Sequence, residues 1–298
     1  MPSSGASPMS DPREHIGSLR ARWGRGFRRV RQTADWAAFA GPEWLDRIMS
    51  VEVTDRLFRK QGRSIARWTL DGPDGRRLVV FLKRHFVLPR RLGLLAVLFP
   101  RRAWSPGLQE WEHLEWAEKQ GLPVPRAVAA GELVGPHGRV QSFIAIAELT
   151  DMLPLHEAVP LAERSLGPAA FRDWKRSLSE ELVRLSVAFH GRRVFHKDWY
   201  LCHFYIDEAD ARRVPESWAG RVRVIDLHRM ARHPLTGLWR KAKDLAQLLY
   251  SSDVPGVTDE DRRGFWERYR RHTRLPWLVA AVARIKCRLY QRHDAPKG

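Results

Sequence analysis

Two short stretches decide how this chain reads. They are His196-Lys197-Asp198-Trp199-Tyr200-Leu201-Cys202-His203 and Val224-Ile225-Asp226-Leu227-His228-Arg229. The first follows the strongest helical pattern in the chain, over residues 168–190. There Phe171, Trp174, Leu178, Leu182 and Leu185 form one apolar stripe, and Gly191 ends it. The second closes a short strand predicted over residues 221–225; another is predicted over 204–206, with a polar loop between them. Phosphoryl transfer needs two acids in such places. One orients an attacking hydroxyl and accepts its proton. The other holds a hard cation against phosphate oxygens, a task for oxygen ligands.

The first half of the chain supplies the complement. Residues 64–70 and 77–82 read as strands flanking the turn sequence DGPDG (71–75). Leu78-Val79-Val80-Phe81-Leu82 is continuously apolar, as for a strand buried on both faces, and it ends in Lys83. An unpaired charge there would be costly, although a strand-end lysine often reaches solvent. A helix then opens with Ser105 as N-cap and Pro106 in its first position, and Gly121, Pro123 and Pro125 stop it. On that helix Glu110 is the first choice to pair with Lys83; Glu112 and Glu115 compete. Glu110 and Glu115 lie five apart and face different ways, so both cannot serve. Residues 140–147 read as a further strand, and from about Leu238 the chain reads as helical.

The order Lys83, Glu110, Asp198, Asp226, each on the expected kind of element, is the layout of a protein kinase. Each element alone is a weak signal; the order carries the reading. The expected fold is α+β and bilobal, protein-kinase-like, with a strand-rich N-lobe over residues 46–150 and a helical C-lobe over 151–298. Residues 1–45 read as a basic, partly disordered extension.

Length and composition agree. The 298 residues carry 52 Lys+Arg against 34 Asp+Glu, a formal net charge of +18, and 13 Trp, which excludes a mostly disordered chain. Two cysteines form no disulfide framework, and no secretory signal or spanning apolar run is seen, so a cytoplasmic location is expected. The charge is concentrated in residues 1–31, 83–102 and 262–298, which together exceed the net charge and leave the body slightly acidic. Such segments suit a polyanion: nucleic acid, an anionic membrane surface or a phosphorylated substrate. Residues 19–31 read as a flexible arm. Residues 84–104 place an apolar wedge between two arginine pairs, as an interfacial membrane contact or a buried helix would.

FHKDWYLCHFYID (195–207) followed by VIDLHR (224–229) resembles the lipopolysaccharide kinase family, the kinases of the heptose and Kdo sugars of the core. The resemblance extends over RLVVFLK (77–83), Gln109-Glu110-Trp111, residues 121–125, SFIAIAEL (142–149) and WRKAKDLAQLLYSS (239–252), within roughly residues 50–275. It implies a protein-kinase-like fold, ATP with a divalent metal, and a lipopolysaccharide core or lipid A–core precursor as acceptor. It also implies work at the cytoplasmic face of the inner membrane, peripheral to it, and makes nucleic acid the poorer partner. By this resemblance Asp198 is the catalytic base, Lys83 meets the nucleotide phosphates and Glu110 pairs with it. Asp226 takes the metal, Glu148 belongs to a hinge that meets adenine, and Asp244 braces the catalytic loop.

Departures from protein kinases are specific. His203 stands where an Asn meets a second metal, and the family's own motif also has His there. Imidazole is softer than a carbonyl oxygen, so Mn²⁺ is expected to serve comparably with Mg²⁺. No Gly-rich phosphate loop is present. Residues 58–64 (FRKQGRS) contain only Gly62, leaving Arg63 or Ser64 for phosphate contacts. His228 replaces the Gly of Asp-Phe-Gly, which argues against a mobile switch. Trp199 and Tyr200 are candidates for sugar stacking or for core packing. Other readings are a kinase of another small sugar or of protein Tyr/Ser, and a basic membrane- or nucleic-acid-binding scaffold with a degenerate kinase fold. Intact Lys83, Asp198 and Asp226 argue against the scaffold.

Overall fold

A computed structural model of the chain describes residues 17–52, 55–60 and 62–294. The chain divides into two compact units. The first runs to Trp116 and includes Pro125–Glu148; the second comprises Ala117–Val124 and everything from Leu149.

In the first unit, helix α1 (Leu19–Arg25) leads into β1 (Phe27–Gln32), then short helices α2 (Trp36–Ala40) and α3 (Trp44–Arg47). Strands β2 (Asp55–Lys60), β3 (Arg63–Asp71) and β4 (Arg77–His85) follow, then helices α4 (Arg90–Leu98) and α5 (Pro106–Lys119), then β5 (Ala127–Gly135) and β6 (Arg139–Ala147). The six strands form one antiparallel sheet in the order β1-β5-β6-β4-β3-β2. The sheet therefore begins at Phe27. The stretch expected to be a flexible arm is a helix followed by an edge strand, registered from Phe27 opposite Val134 to Gln32 opposite Ala129. Its local sequence, FRRVRQ, shows no strand alternation; pairing with β5 sets its conformation.

One face of the sheet is sealed by aromatics. Trp36 and Trp44 meet edge-to-face at 5.6 Å, and with Ile48 they pack on Leu70, Val80, Leu82 and Phe143. Lys83 lies within β4, not at its end, and the strand alternates. Leu78, Val80 and Leu82 are buried while Val79 and Phe81 are partly exposed, so the expectation of equal burial on both faces is corrected. Arg84, counted above in a basic segment, is buried. Its guanidinium donates to Ser64 Oγ (3.2 Å) and to the Val51 carbonyl (2.8 Å).

The entry to α5 also differs from expectation. Ser105 Oγ is buried with no hydrogen-bond partner. The fully buried Glu132 carboxylate instead accepts from the Ser105 amide (2.6 Å) and the Trp104 amide (3.1 Å), and from Arg29 (2.9 Å). An acid at a helix N-terminus also complements the macrodipole. At Gly107 a Cβ would stand 2.3 Å from the Phe143 carbonyl, so only glycine lets α5 lie this close to β6.

The second unit opens with β7 (Met152–Pro154), α6 (Leu155–Ser165) and the long α7 (Pro168–Gly191). Strands β8 (Val194–Phe195), β9 (Phe204–Asp207), β10 (Arg223–Val224) and β11 (Ala231–Arg232) follow, then helices α8 (Gly237–Ser251), α9 (Asp259–Tyr269) and α10 (Pro276–Asp294). The strands form two small antiparallel sheets, β10-β9-β7 and β11-β8. Val183, Ala242, Leu245, Tyr269, Val279 and Ala283 join α7 to α10 in one core. The basic C-terminal segment is thus part of the packed helical unit. Among the described residues, no helix is long and apolar enough to cross a membrane.

Candidate active site

In the first unit, Lys83 Nζ donates to Glu110 Oε1 at 2.7 Å, with both residues buried. Glu110 is therefore the partner. Glu112 is exposed instead, and partial desolvation raises its pKa against the pull of Arg29 and Arg31. The pair follows from two constraints. Alternation along β4 puts Lys83 on the face opposite the tryptophans, and the Glu132 anchor fixes where α5 starts.

Gly62 sits in the β2–β3 hairpin at φ +75°, and its carbonyl accepts from the Phe86 amide at 2.7 Å. Gln61, beside it in the expected phosphate loop, lies outside the described residues. Ser64 is buried and accepts from Arg84, so that hydroxyl is occupied; the Arg63 Nε is buried with no hydrogen-bond partner. Glu148 accepts a two-pronged pair from Arg67 at 2.7 and 2.8 Å, and its amide donates to the Val79 carbonyl. Its side chain is thus a strut of the sheet.

In the second unit, β8 delivers the chain into the loop holding Asp198. Three polar side chains on α8, at spacing i, i+3 and i+7, fix that loop. The Asp244 carboxylate accepts from the His196 and Lys197 amides, both at 3.0 Å. Gln247 Oε1 accepts from the Trp199 amide (3.0 Å) while its Nε2 donates to the Lys197 carbonyl (2.7 Å). Ser251 Oγ accepts from the Leu201 amide at 2.8 Å. Asp244 was expected as a brace; Gln247 and Ser251 were missed. Behind Asp244, His190 Nε2 lies 3.3 Å from Oδ2, and the other ring nitrogen lies 2.7 Å from the Tyr269 hydroxyl. Burial pushes the Tyr269 pKa up, so it stays a neutral phenol.

Lys197 sits at φ +70° and Asp226 at φ +62°, a left-handed backbone that side chains adopt at a cost. Lys197 precedes the first acid, Asp198, and Asp226 is the second acid itself. Arg229 Nη1 donates to Asp198 Oδ1 at 2.8 Å, and His228 Nδ1 donates to Asp226 Oδ1 at 2.8 Å. Burial raises the Asp198 pKa above the usual carboxylate value; Arg229, His228 and His203 oppose the rise, and Asp226 adds to it. His203 Nδ1 donates to the Asp198 carbonyl at 2.6 Å, so in the neutral ring Nε2 is the lone-pair nitrogen. Burial opposes protonation of His203, but Cys202, that carbonyl and Asp226 outweigh it and hold its pKa above the ordinary value.

Trp199 is wholly buried, its indole donating to Ser186 Oγ at 3.1 Å and its ring packed 4.7 Å from Phe204. It packs the core and is not a sugar platform. Tyr200 is half-exposed, and its hydroxyl accepts from Gln247 at 3.3 Å. His196 is buried, with Nε2 donating to the Ile225 carbonyl at 2.9 Å, tying the two acidic segments together. Burial pushes its pKa down to about 4.

Among the described residues no three acidic, His or Cys side chains converge as a metal cage. Mg²⁺ takes one or two protein carboxylates and completes its shell with phosphate and water. Asp226 and His203, close enough to influence each other's charge, would be the ligands here.

A strand-rich unit with a buried lysine–glutamate pair, and a helical unit with two loop acids, define an ATP-dependent kinase of α+β, protein-kinase-like fold. A profile of the lipopolysaccharide kinase (Kdo/WaaP) family matches residues 104–269, more than half of the chain, and the chain belongs to that family. The lipopolysaccharide core heptose(I) kinase WaaP of Pseudomonas aeruginosa is 32% identical over 191 residues, covering 62% of this chain and 69% of the relative. The enzyme of the same name from Escherichia coli K12 is 29% identical over 197 residues, covering 64% and 71%. A solved structure, WaaP in complex with acyl carrier protein, matches with a TM-score of 0.64 at 27% identity, covering 89% of this chain and 98% of that one.

Proposed function

We propose that this chain transfers the γ-phosphoryl group of ATP to a hydroxyl of an inner-core heptose or Kdo of lipopolysaccharide. Asp198 accepts the hydroxyl proton as the new O–P bond forms and the bond to the ADP oxygen breaks. Its raised pKa makes it a better proton acceptor than an ordinary carboxylate. Lys83, held straight by Glu110, meets the nucleotide phosphates. Glu148 meets adenine through its backbone carbonyl, since its amide is bound to Val79 and its side chain to Arg67. Gly62 keeps the hairpin turn tight where phosphates approach, and Arg63 is the nearby cation. Asp226 and His203 would hold Mg²⁺ or Mn²⁺, which would supply neutralisation of charge on the transferring phosphate.

The observation that carries this reading is the Asp198 loop, pinned by Asp244 and Gln247 in a member of this kinase family. The test is incorporation of ³²P from ATP into extracted core oligosaccharide, with soluble heptose and a Tyr/Ser peptide as comparison acceptors. Label in the core alone supports the reading; label only in the peptide or free sugar removes it. We also place the enzyme at the anionic cytoplasmic face of the inner membrane, where such amphiphilic precursors lie.

An acyl carrier protein is a second proposed partner, as in the solved relative. The second unit holds a cavity of about 370 Å³ walled by Leu178, Leu182, Leu245, Leu248 and Trp266, with Arg262 at its edge. An acyl chain suits the wall, while Arg262 is itself paired with Asp259 at 2.7 Å. Acylated carrier raising the melting temperature more than the unacylated carrier would support this; equal effects would remove it.

A further inference from the structure

We infer that α1 and α4 of the first unit, with the basic groove beside them, form the surface by which the protein docks on an anionic phospholipid bilayer. This rests on the membrane reading above and names the face responsible.

Three observations converge. First, α1 buries none of its residues, and Leu19 and Trp23 are 51% and 42% exposed. Second, α4 turns its small residues inward: Gly93, Ala96 and Val97 are buried. A Cβ at Gly93 would stand 1.8 Å from the Gly138 carbonyl, so the helix is pressed on the β5–β6 turn. Leu94 and Leu98 are left outside, and Phe99 after them is 55% exposed. The two helices are fixed together, since Arg22 Nε donates to the Val97 carbonyl at 2.9 Å. Trp23 lies edge-on to His137 at 5.8 Å. An exposed apolar cluster on braced helices is an interaction surface.

Third, the charge says what covers it. Residues 17–32 and 86–102 contain no Asp or Glu. Arg90 and Arg91 precede the α4 wedge and Arg101 and Arg102 follow it, all four exposed. Beside the wedge opens a groove of about 830 Å³ lined by Arg25, Arg28, Arg90 and Arg139 and, among the described residues, by no acid. Protruding Leu, Phe and Trp with arginines at their borders match the acyl boundary and phosphate layer of a bilayer. Arg28 is paired with Asp46, and Arg25, Arg90 and Arg139 offer guanidinium groups to headgroup phosphates.

The test is sedimentation of the full chain with vesicles of phosphatidylethanolamine and phosphatidylglycerol, against phosphatidylcholine alone, at low and high salt. Wild type should pellet with the anionic vesicles and be released by salt. Leu94→Asp with Leu98→Asp, and separately Arg90→Glu with Arg91→Glu, should each weaken binding roughly tenfold or more. All four positions are exposed, so an unchanged melting temperature checks the fold. Ile285→Asp with Leu289→Asp, on exposed positions of α10, should bind as wild type. If wild type binds and both α4 variants bind equally well, this surface is wrong while the membrane reading stands. If wild type does not bind, both fall. If the α4 variants lose binding to acyl carrier protein but keep vesicle binding, the face is a protein-docking surface and the inference is overturned.

Discussion

Arg229 holds Asp198 Oδ1 at 2.8 Å, so the proposed base is paired with a cation three residues beyond the second acid, Asp226. The pair keeps the buried carboxylate ionised against the burial that raises its pKa. Removing the cation by Arg229→Gln lets burial act unopposed by it, and the Asp198 pKa rises further. A base works only when deprotonated, so the acid limb of the kcat/KM profile should move to higher pH. An unchanged acid limb would detach Arg229 from the base.

The Lys83–Glu110 pair is buried, so breaking it should cost stability as well as activity. Lys83→Met leaves the Glu110 carboxylate without this partner, and losses of about 3–5 kcal/mol are typical of such changes. Urea unfolding should show that loss, and the KM for ATP should rise. Lys83→Met together with Glu110→Leu should recover stability but not ATP affinity. Recovery of both would mean the pair is only structural.

Asp244→Ala removes the acceptor for the His196 and Lys197 amides. Each buried amide left without a partner costs about 1–3 kcal/mol. The loop carrying Asp198 should loosen, lowering kcat while the KM for ATP, which we assign to Lys83 in the first unit, changes little. Amide hydrogen exchange at residues 196–199 should accelerate. A fall in kcat matched by an equal fall in the folded fraction would point to general unfolding instead.

His196 gives a stability prediction with a definite sign. Burial lowers its folded pKa to about 4, below its ordinary value of 6.5, so the unfolded chain binds this proton more readily. Its contribution is fully present above about pH 6.5 and is lost as pH falls towards about 4. The full loss is about 3 kcal/mol. Denaturant unfolding in metal-free buffer from pH 7.5 to 4.5 should show the decline, and His196→Gln should flatten it.

Much of this was legible in the residues, for physical reasons. The apolar run 78–82 demanded a partner for Lys83, and helical spacing offered three glutamates; only the anchoring of α5 by Glu132 decides for Glu110. Asp198 and Asp226 stood out because their order matched the chemistry. What escaped was set by tertiary contacts. Arg84 looked like surface charge but lies inside, on Ser64 and Val51. The strand at residues 27–32 has no alternation and exists through β5. Gln247 and Ser251 carry a signal that was available: with Asp244 they place three polar groups on one face of a helix otherwise rich in buried apolar residues. Trp199 stood open between sugar stacking and core packing, and the Ser186 hydroxyl and Phe204 hold it in the core.

The central claim is that Asp198 performs phosphoryl transfer to a core sugar. The most direct measurement is transfer of ³²P from ATP to extracted core oligosaccharide by wild type and by Asp198→Asn, with ATP binding measured in parallel. The account predicts that the variant folds, binds ATP like wild type and loses about 10²–10⁴-fold in kcat. A variant that labels the core at the wild-type rate would contradict it.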